Sequence, residues 1–196
     1  MKAALMLAVN PEADREINDY YATDPYAITK AIPVFEEIGL SRNVWECACG
    51  EGHLSKELEK HGYTVKSTDI MDRGYGEVLD FLSADGKWCG DILTNPPFKY
   101  ATQFVDHAID CIADGHLAVF FLKVQFLETA KRAALFKRCG LKHVIVNSER
   151  ICCAKNGEFD TYFKQSKNGA YRGCTQVFCW FVFQKGYTGE PTIKWI

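Results

Sequence analysis

The stretch NVWECACGEGHLSKELEKHGYTVKSTDI, residues 43–70, decides the fold. Residues 43–49 form an apolar run that reads as a strand. In 53–62, Leu54, Leu58 and His61 recur at helical spacing, and Gly62 is placed to cap the helix. Residues 64–70 read as a second strand. A strand, a tight turn, a helix and a strand make a βαβ unit, which places its two strands parallel. The turn carries Glu46-x3-Gly50-x-Gly52. Glycine allows a sharp turn and a close approach by a ligand. Glu46, at the strand end, is placed to accept hydrogen bonds from a cationic or hydroxylated ligand. Asp69 closes the next strand nineteen positions after Gly50, where a carboxylate commonly holds ribose hydroxyls. Ser55 stands where a dinucleotide motif carries its third glycine, so the pattern suits a mononucleoside-like cofactor better than a nicotinamide dinucleotide.

The alternation continues outward. Residues 91–95, 116–123, 142–148 and 176–186 read as strands, and 99–114 and 128–140 as helices. This predicts a doubly wound α/β domain spanning 1–196. Residues 149–176 show no helical crossover, so strand 176–186 is expected to run antiparallel to its neighbour. No repeat, linker or low-complexity tract interrupts the chain.

Strand 91–95 leaves the sheet through Asn95-Pro96-Pro97-Phe98. Two prolines fix φ and hold the backbone carbonyls in set directions. The Asn95 side-chain oxygen and the Pro96 carbonyl then form two convergent acceptors, suited to a planar amino group that donates two N–H bonds. Phe98 offers a face for a stacked base. In a doubly wound sheet, strands 43–49 and 91–95 are neighbours at the switch in strand order, so both turns open on one crevice.

Composition narrows the class. Of 196 residues, 47% are hydrophobic, as in ordinary globular chains. No apolar run reaches the ~20 residues of a membrane span. The apolar stretch Ala3–Val9 is short and an acidic segment follows, so a cleaved leader is not expected. Nine cysteines show no Cys-x2-Cys spacing and no accompanying His pair, which points to reduced thiols in a cytoplasmic protein and to no metal site. A net charge of −2 leaves any nucleic-acid contact to a local basic face.

Together these motifs resemble the S-adenosylmethionine-dependent DNA N6-adenine methyltransferases of the small, stand-alone type found in phages and prophages. TNPPF (94–98) is similar to that family's catalytic motif, and WECACGEGHL (45–54) to its cofactor glycine motif. STDI (67–70) matches the ribose-binding strand end. EVLDFL (77–82) resembles the segment that contacts the cofactor adenine. YYATDPYAI (20–28) resembles the segment that folds over the methionine end, with Asp24 in place of the first proline of the usual Thr-Pro-Pro. FLKVQFLETAKR (121–132) and WFVFQKGYTGEPTIKWI (180–196) continue the likeness over most of the chain. The resemblance implies a Rossmann-like class I methyltransferase fold: a mostly parallel seven-stranded sheet, the last strand antiparallel, with helices on both faces. It implies S-adenosylmethionine as cofactor, contacted by Thr23, Glu46, Ala48, Cys49, Gly50, Gly52, Asp69, Ile70, Asp80, Phe81 and Asn95. It implies Asn95, Pro96, Pro97 and Phe98 as the catalytic motif, with a DNA adenine flipped into the site. Asn at position 95 favours adenine over cytosine, whose enzymes usually open this motif with Ser.

Residues 149–176 carry Lys155, Lys164, Lys167 and Arg172 among Phe159, Tyr162, Phe163 and Tyr171. That mixture makes the segment a candidate DNA surface, with Lys99 beside the Asn-Pro-Pro-Phe turn as a further phosphate contact. Two other readings use the same residues. One is a methyltransferase acting on RNA adenine or a protein glutamine amide. The other is a cofactor-binding partner without catalysis.

Overall fold

A computed structural model describes residues 20–167 and 169–196. The reading of Ala3–Val9 falls outside these residues. The βαβ unit is present as β2 (Asn43–Glu46), α2 (His53–Lys60) and β3 (Thr64–Asp69), with β2 and β3 parallel in register Asn43↔Thr64 to Glu46↔Ser67. Before it lie β1 (Tyr21–Thr23) and α1 (Tyr26–Glu37). After it come β4 (Glu77–Val78), β5 (Asp91–Thr94), α3 (Ala101–Cys111), β6 (Leu117–Lys123), α4 (Ala130–Cys139) and β7 (Leu141–Val146). The chain ends its course through β8 (Cys153–Lys155), the single turn α5 (Phe159–Tyr162), β9 (Lys164–Gln165), β10 (Tyr171–Arg172), β11 (Phe178–Gln184) and β12 (Thr192–Trp195).

The main sheet has eight strands in the order β12-β7-β11-β6-β5-β2-β3-β4. As expected, β11 is antiparallel to both neighbours, β6 and β7. The eighth strand is an addition to the seven expected: β12 returns parallel to β7, from Thr192↔His143 to Trp195↔Val146. It covers the β7 edge, which would otherwise present unpaired backbone groups.

Side chains on successive strand residues face opposite layers. Trp45, Ile92, Phe120, Phe181 and Phe183 pack with Phe104, Val105 and Ala108 of α3 and Leu135 of α4. Their neighbours Val44, Leu93, Val119, Phe121, Trp180 and Val182 pack on the other side with Ala27, Ile28, Ala31 and Phe35 of α1 and Leu54 and Leu58 of α2. β6 and β11 bury all but their last residue, which explains their unbroken apolar sequence.

Residues 149–176, where the sequence shows no helical crossover, fold into short elements of their own. β8 pairs antiparallel with β1 (Tyr21↔Lys155 to Thr23↔Cys153), and β9 and β10 form a hairpin. Ala22, Ala154 and Phe159 make a third, small core there.

Candidate active site

β5 delivers Thr94 and then Asn95-Pro96-Pro97, which turns into a single 3-10 turn over Phe98–Tyr100. The Tyr100 N–H bonds the Pro97 carbonyl at 2.9 Å, whereas among the described residues nothing donates to the carbonyl of Pro96. Asn95 Nδ2 donates to the Tyr21 carbonyl at 3.0 Å and to Thr23 Oγ1 at 2.8 Å. A carbonyl only accepts, so this pairing fixes which end of the amide is nitrogen. Asn95 Oδ1 is left buried and without a hydrogen-bond partner. Both acceptors anticipated in this turn are therefore available to a ligand, and β1 holds the side chain that carries one of them.

The glycine turn follows β2. Gly50 has φ +55° and Gly52 φ +80°, conformations that favour glycine. A Cβ at Gly50 would collide with the Tyr20 ring, and one at Gly52 with the Tyr75 ring. Close approach to these glycines is thus made by rings of the chain itself, a reason for glycine that the sequence does not reveal. Tyr20 is clasped from both sides: its hydroxyl accepts from Glu51 N–H at 3.3 Å, and the Arg73 guanidinium carbon lies 4.0 Å from its ring centre.

Three acids border this region, and each is tied into the frame. Glu46 is 1% exposed and accepts from Thr94 Oγ1 (2.8 Å) and Ser55 Oγ (3.2 Å). Burial pushes its carboxyl up to about 8, against the pull of those two hydroxyls. Asp69 accepts from the Gly50 N–H at 2.8 Å and the Met71 N–H at 3.0 Å, so it ties the glycine turn to the end of β3. Asp80 caps the next short turn, accepting from Leu82 N–H (3.0 Å) and Ser83 Oγ (2.7 Å). Phe81 is buried edge-on against Trp45. Asp24, at the position of the missing proline, is also structural. It is buried, accepts from the N–H of Tyr26 at 3.0 Å and of Tyr171 at 2.8 Å, and so joins the start of α1 to β10. Burial raises its carboxyl above the ordinary range.

These pieces enclose a cavity of about 350 Å³. Thr23, Glu46, Ala48, Cys49, Asp69, Ile70, Asp80, Phe81 and Asn95 all line it, with Pro96, Pro97 and Phe98. Gly50 and Gly52 are not on its wall; they shape the turn behind it. The sequence reading missed Tyr20, His53 and Arg73, which also line it. His53 lies directly beside the glycine motif, but a histidine there carries no signal by type alone.

A second cavity, of about 440 Å³, adjoins the first and shares Tyr21 and Phe98 with it. Lys99, Lys123, Phe163, Gln176 and Phe178 are among its lining. The Phe98 ring lies 6.2 Å from that of Tyr21 and 5.8 Å from that of Phe178, with Lys123 Nζ 4.9 Å from its centre. Lys164 and Lys167 are exposed on and beside the β9–β10 hairpin. Arg172 is engaged with Glu149 at 2.6 Å, and Lys155 lies half-buried in β8. All nine cysteines are free. Among the described residues, no cluster of His, Cys, Asp or Glu is placed to hold a metal, and no helix is long and apolar enough to cross a membrane.

This architecture is the class I fold of S-adenosylmethionine-dependent methyltransferases. A Listeria monocytogenes protein assigned to that class superposes with a TM-score of 0.58 at 13% identity, over 94% of this chain and 68% of its own. A Pyrococcus horikoshii protein assigned as an RNA methyltransferase gives 0.56 at 14%, over 86% and 87%. The type IIG restriction endonuclease BpuSI gives 0.53 at 13%, over 85% of this chain and 25% of its own. No family model and no curated protein matches the sequence.

Proposed function

We propose that this chain transfers a methyl group from S-adenosylmethionine to the exocyclic N6 amino group of adenine in DNA. The observation that carries the reading is Asn95: its amide nitrogen is fully engaged by β1, and its oxygen is buried and unpartnered. A buried acceptor without a donor is costly, by about 1–3 kcal/mol. It is accounted for if a donor arrives with the substrate. The Pro96 carbonyl, free of any backbone donor, supplies the second acceptor. Two acceptors on one rigid turn suit an amino group with two N–H bonds. By drawing on both hydrogens they localise a nitrogen lone pair that is otherwise delocalised into the ring.

The cofactor, when bound, supplies a methyl group already activated on a sulfonium. The first cavity suits its nucleoside in having Asp69 and Asp80 in its lining together with the apolar Ile70, Phe81 and Leu82. Asn95 lies against β1. The protein then acts by positioning and by preorganised dipoles, without a strong base. The second cavity, aromatic and flanked by Lys99 and Lys123, is the place for a flipped base and its phosphate. Residues 149–176 act as its outer wall within a single methyltransferase domain. The choice of adenine in DNA rests on the resemblance carried by Asn95-Pro-Pro-Phe and on this basic, aromatic wall.

The test is nucleoside mass spectrometry of DNA and RNA from a methylation-deficient bacterial host expressing the chain or Asn95→Ala. N6-methyladenine is expected in DNA with the natural chain and at background with Asn95→Ala, while the purified variant still binds S-adenosylmethionine in calorimetry. A mark in RNA alone would move the acceptor. Cofactor binding with no mark in either would favour the non-catalytic partner.

A further inference from the structure

Among the described residues, three side chains lining the first cavity carry a buried polar atom with no hydrogen-bond partner: Asn95 Oδ1, His53 Nδ1 and Arg73 Nε. The proposed acceptor accounts for the first. The Arg73 guanidinium lies over the Tyr20 ring. His53 remains without a role.

Its position is defined by a chain of contacts. Thr23 holds Asn95 (2.8 Å); Thr94, the next residue back, holds Glu46 (2.8 Å); Glu46 holds Ser55 (3.2 Å); and His53 stands two residues before Ser55 at the start of α2. His53 also packs on Phe159, which shares a small core with Ala22 of β1, so Asn95 and His53 both line the cavity beside β1. The side-chain acceptor left without a donor there is Asn95 Oδ1. An amino-acid end entering here brings an α-ammonium, which that acceptor suits, and an α-carboxylate, to which it offers no donor. A carboxylate out of water requires a donor. The His53 imidazole brings a buried, unpartnered nitrogen to the cavity beside β1. It is held from above by residues 149–176: its ring lies 5.6 Å from that of Phe159, and Gly157, at φ +72°, packs so closely that a Cβ there would come within 3.3 Å of His53 Cε1. Burial lowers its pKa, with Glu51 and Asp24 opposing and Lys56 reinforcing the shift. In the neutral ring that burial favours, the unused Nδ1 can carry the single proton.

We infer that His53 is a positioning residue that donates from Nδ1 to the α-carboxylate of S-adenosylmethionine. The inference rests on the cofactor reading above and adds a residue that selects the amino-acid end of the cofactor from other adenine nucleosides.

Isothermal titration calorimetry on the full chain tests it with two ligands, S-adenosylmethionine and its decarboxylated analogue, which lacks only the carboxylate. The natural chain should bind S-adenosylmethionine more tightly. His53→Ala should weaken S-adenosylmethionine roughly ten- to hundredfold, the range of a hydrogen bond to a charged group, and leave the analogue unchanged. His53→Asn, whose amide can place a donor near the same point, should recover most of the loss. Equal weakening of both ligands, or none, would overturn the role of His53 and leave the cofactor reading standing. Failure of the natural chain to bind either ligand would overturn both.

Discussion

Asn95 is oriented before any acceptor arrives. Two donors from its amide nitrogen reach β1, and a carbonyl among the partners permits no other orientation. The sequence shows that the motif wants an oxygen at this position; it does not show what turns the amide, because Tyr21 and Thr23 lie more than seventy residues away. Glu46 is the converse case. Its place at a strand end is legible, and its burial is not. The folded protein holds the Glu46 proton up to about pH 8, whereas an unfolded glutamate releases it near 4.5. The folded state then binds the extra proton between those values. Stability contributed by this group is complete below the lower one and is lost as pH rises through the window, by up to about 1.4 kcal/mol per pH unit. Glu46→Gln removes the titrating group and keeps partners for Thr94 and Ser55. Urea midpoints taken at intervals from pH 5 to pH 8 should fall for the natural chain and run flatter for the variant. Parallel curves would mean that Glu46 ionises normally.

Elements with strong periodicity were legible nearly to their ends: β2, α2, β3, β5, β6, α4, β7 and β11 all form where alternation or helical spacing indicates. α1 was not, because Pro33 sits inside it and reads as a breaker. The helix tolerates Pro33 because Ala27, Ile28, Ala31 and Phe35 are all fully buried against the sheet, and tertiary packing outweighs one lost backbone bond. β1, β8, β9 and β10 were hidden for another reason. They are two or three residues long, too short to show a pattern of their own, and β1 and β8 are set by a partner more than a hundred residues away. The β9–β10 hairpin is the exposed rim of residues 149–176. If it meets the phosphate backbone, Lys164→Glu with Lys167→Glu should weaken binding to a duplex oligonucleotide and reduce the slope of log affinity against log salt by about two, one unit per lost phosphate contact. Fluorescence anisotropy over a salt series reads both. An unchanged slope would make the hairpin an ordinary solvated rim.

At the scale of the whole molecule, the two-sided core was visible in strands apolar along their whole length, and the antiparallel β11 followed from the missing crossover. The eighth strand was not visible: Ile193 and Trp195 of β12 are largely exposed, so its sequence lacks the burial signal of a sheet strand. A different property of the architecture reaches furthest. β1 is paired along one side with β8 of the outer wall and, through Tyr21 and Thr23, holds Asn95 on the other. His53 and Phe159 touch across the same boundary. A single three-residue strand thus belongs to the rims of both cavities, and neither rim can be ordered without ordering the other. Whatever factor a bound oligonucleotide adds to the affinity for S-adenosylhomocysteine, S-adenosylhomocysteine must return to the oligonucleotide in full. Titrations in both orders should give one and the same factor, greater than one. Loosening β1 by Thr23→Val should shrink it toward unity, with the two sites then filling as strangers.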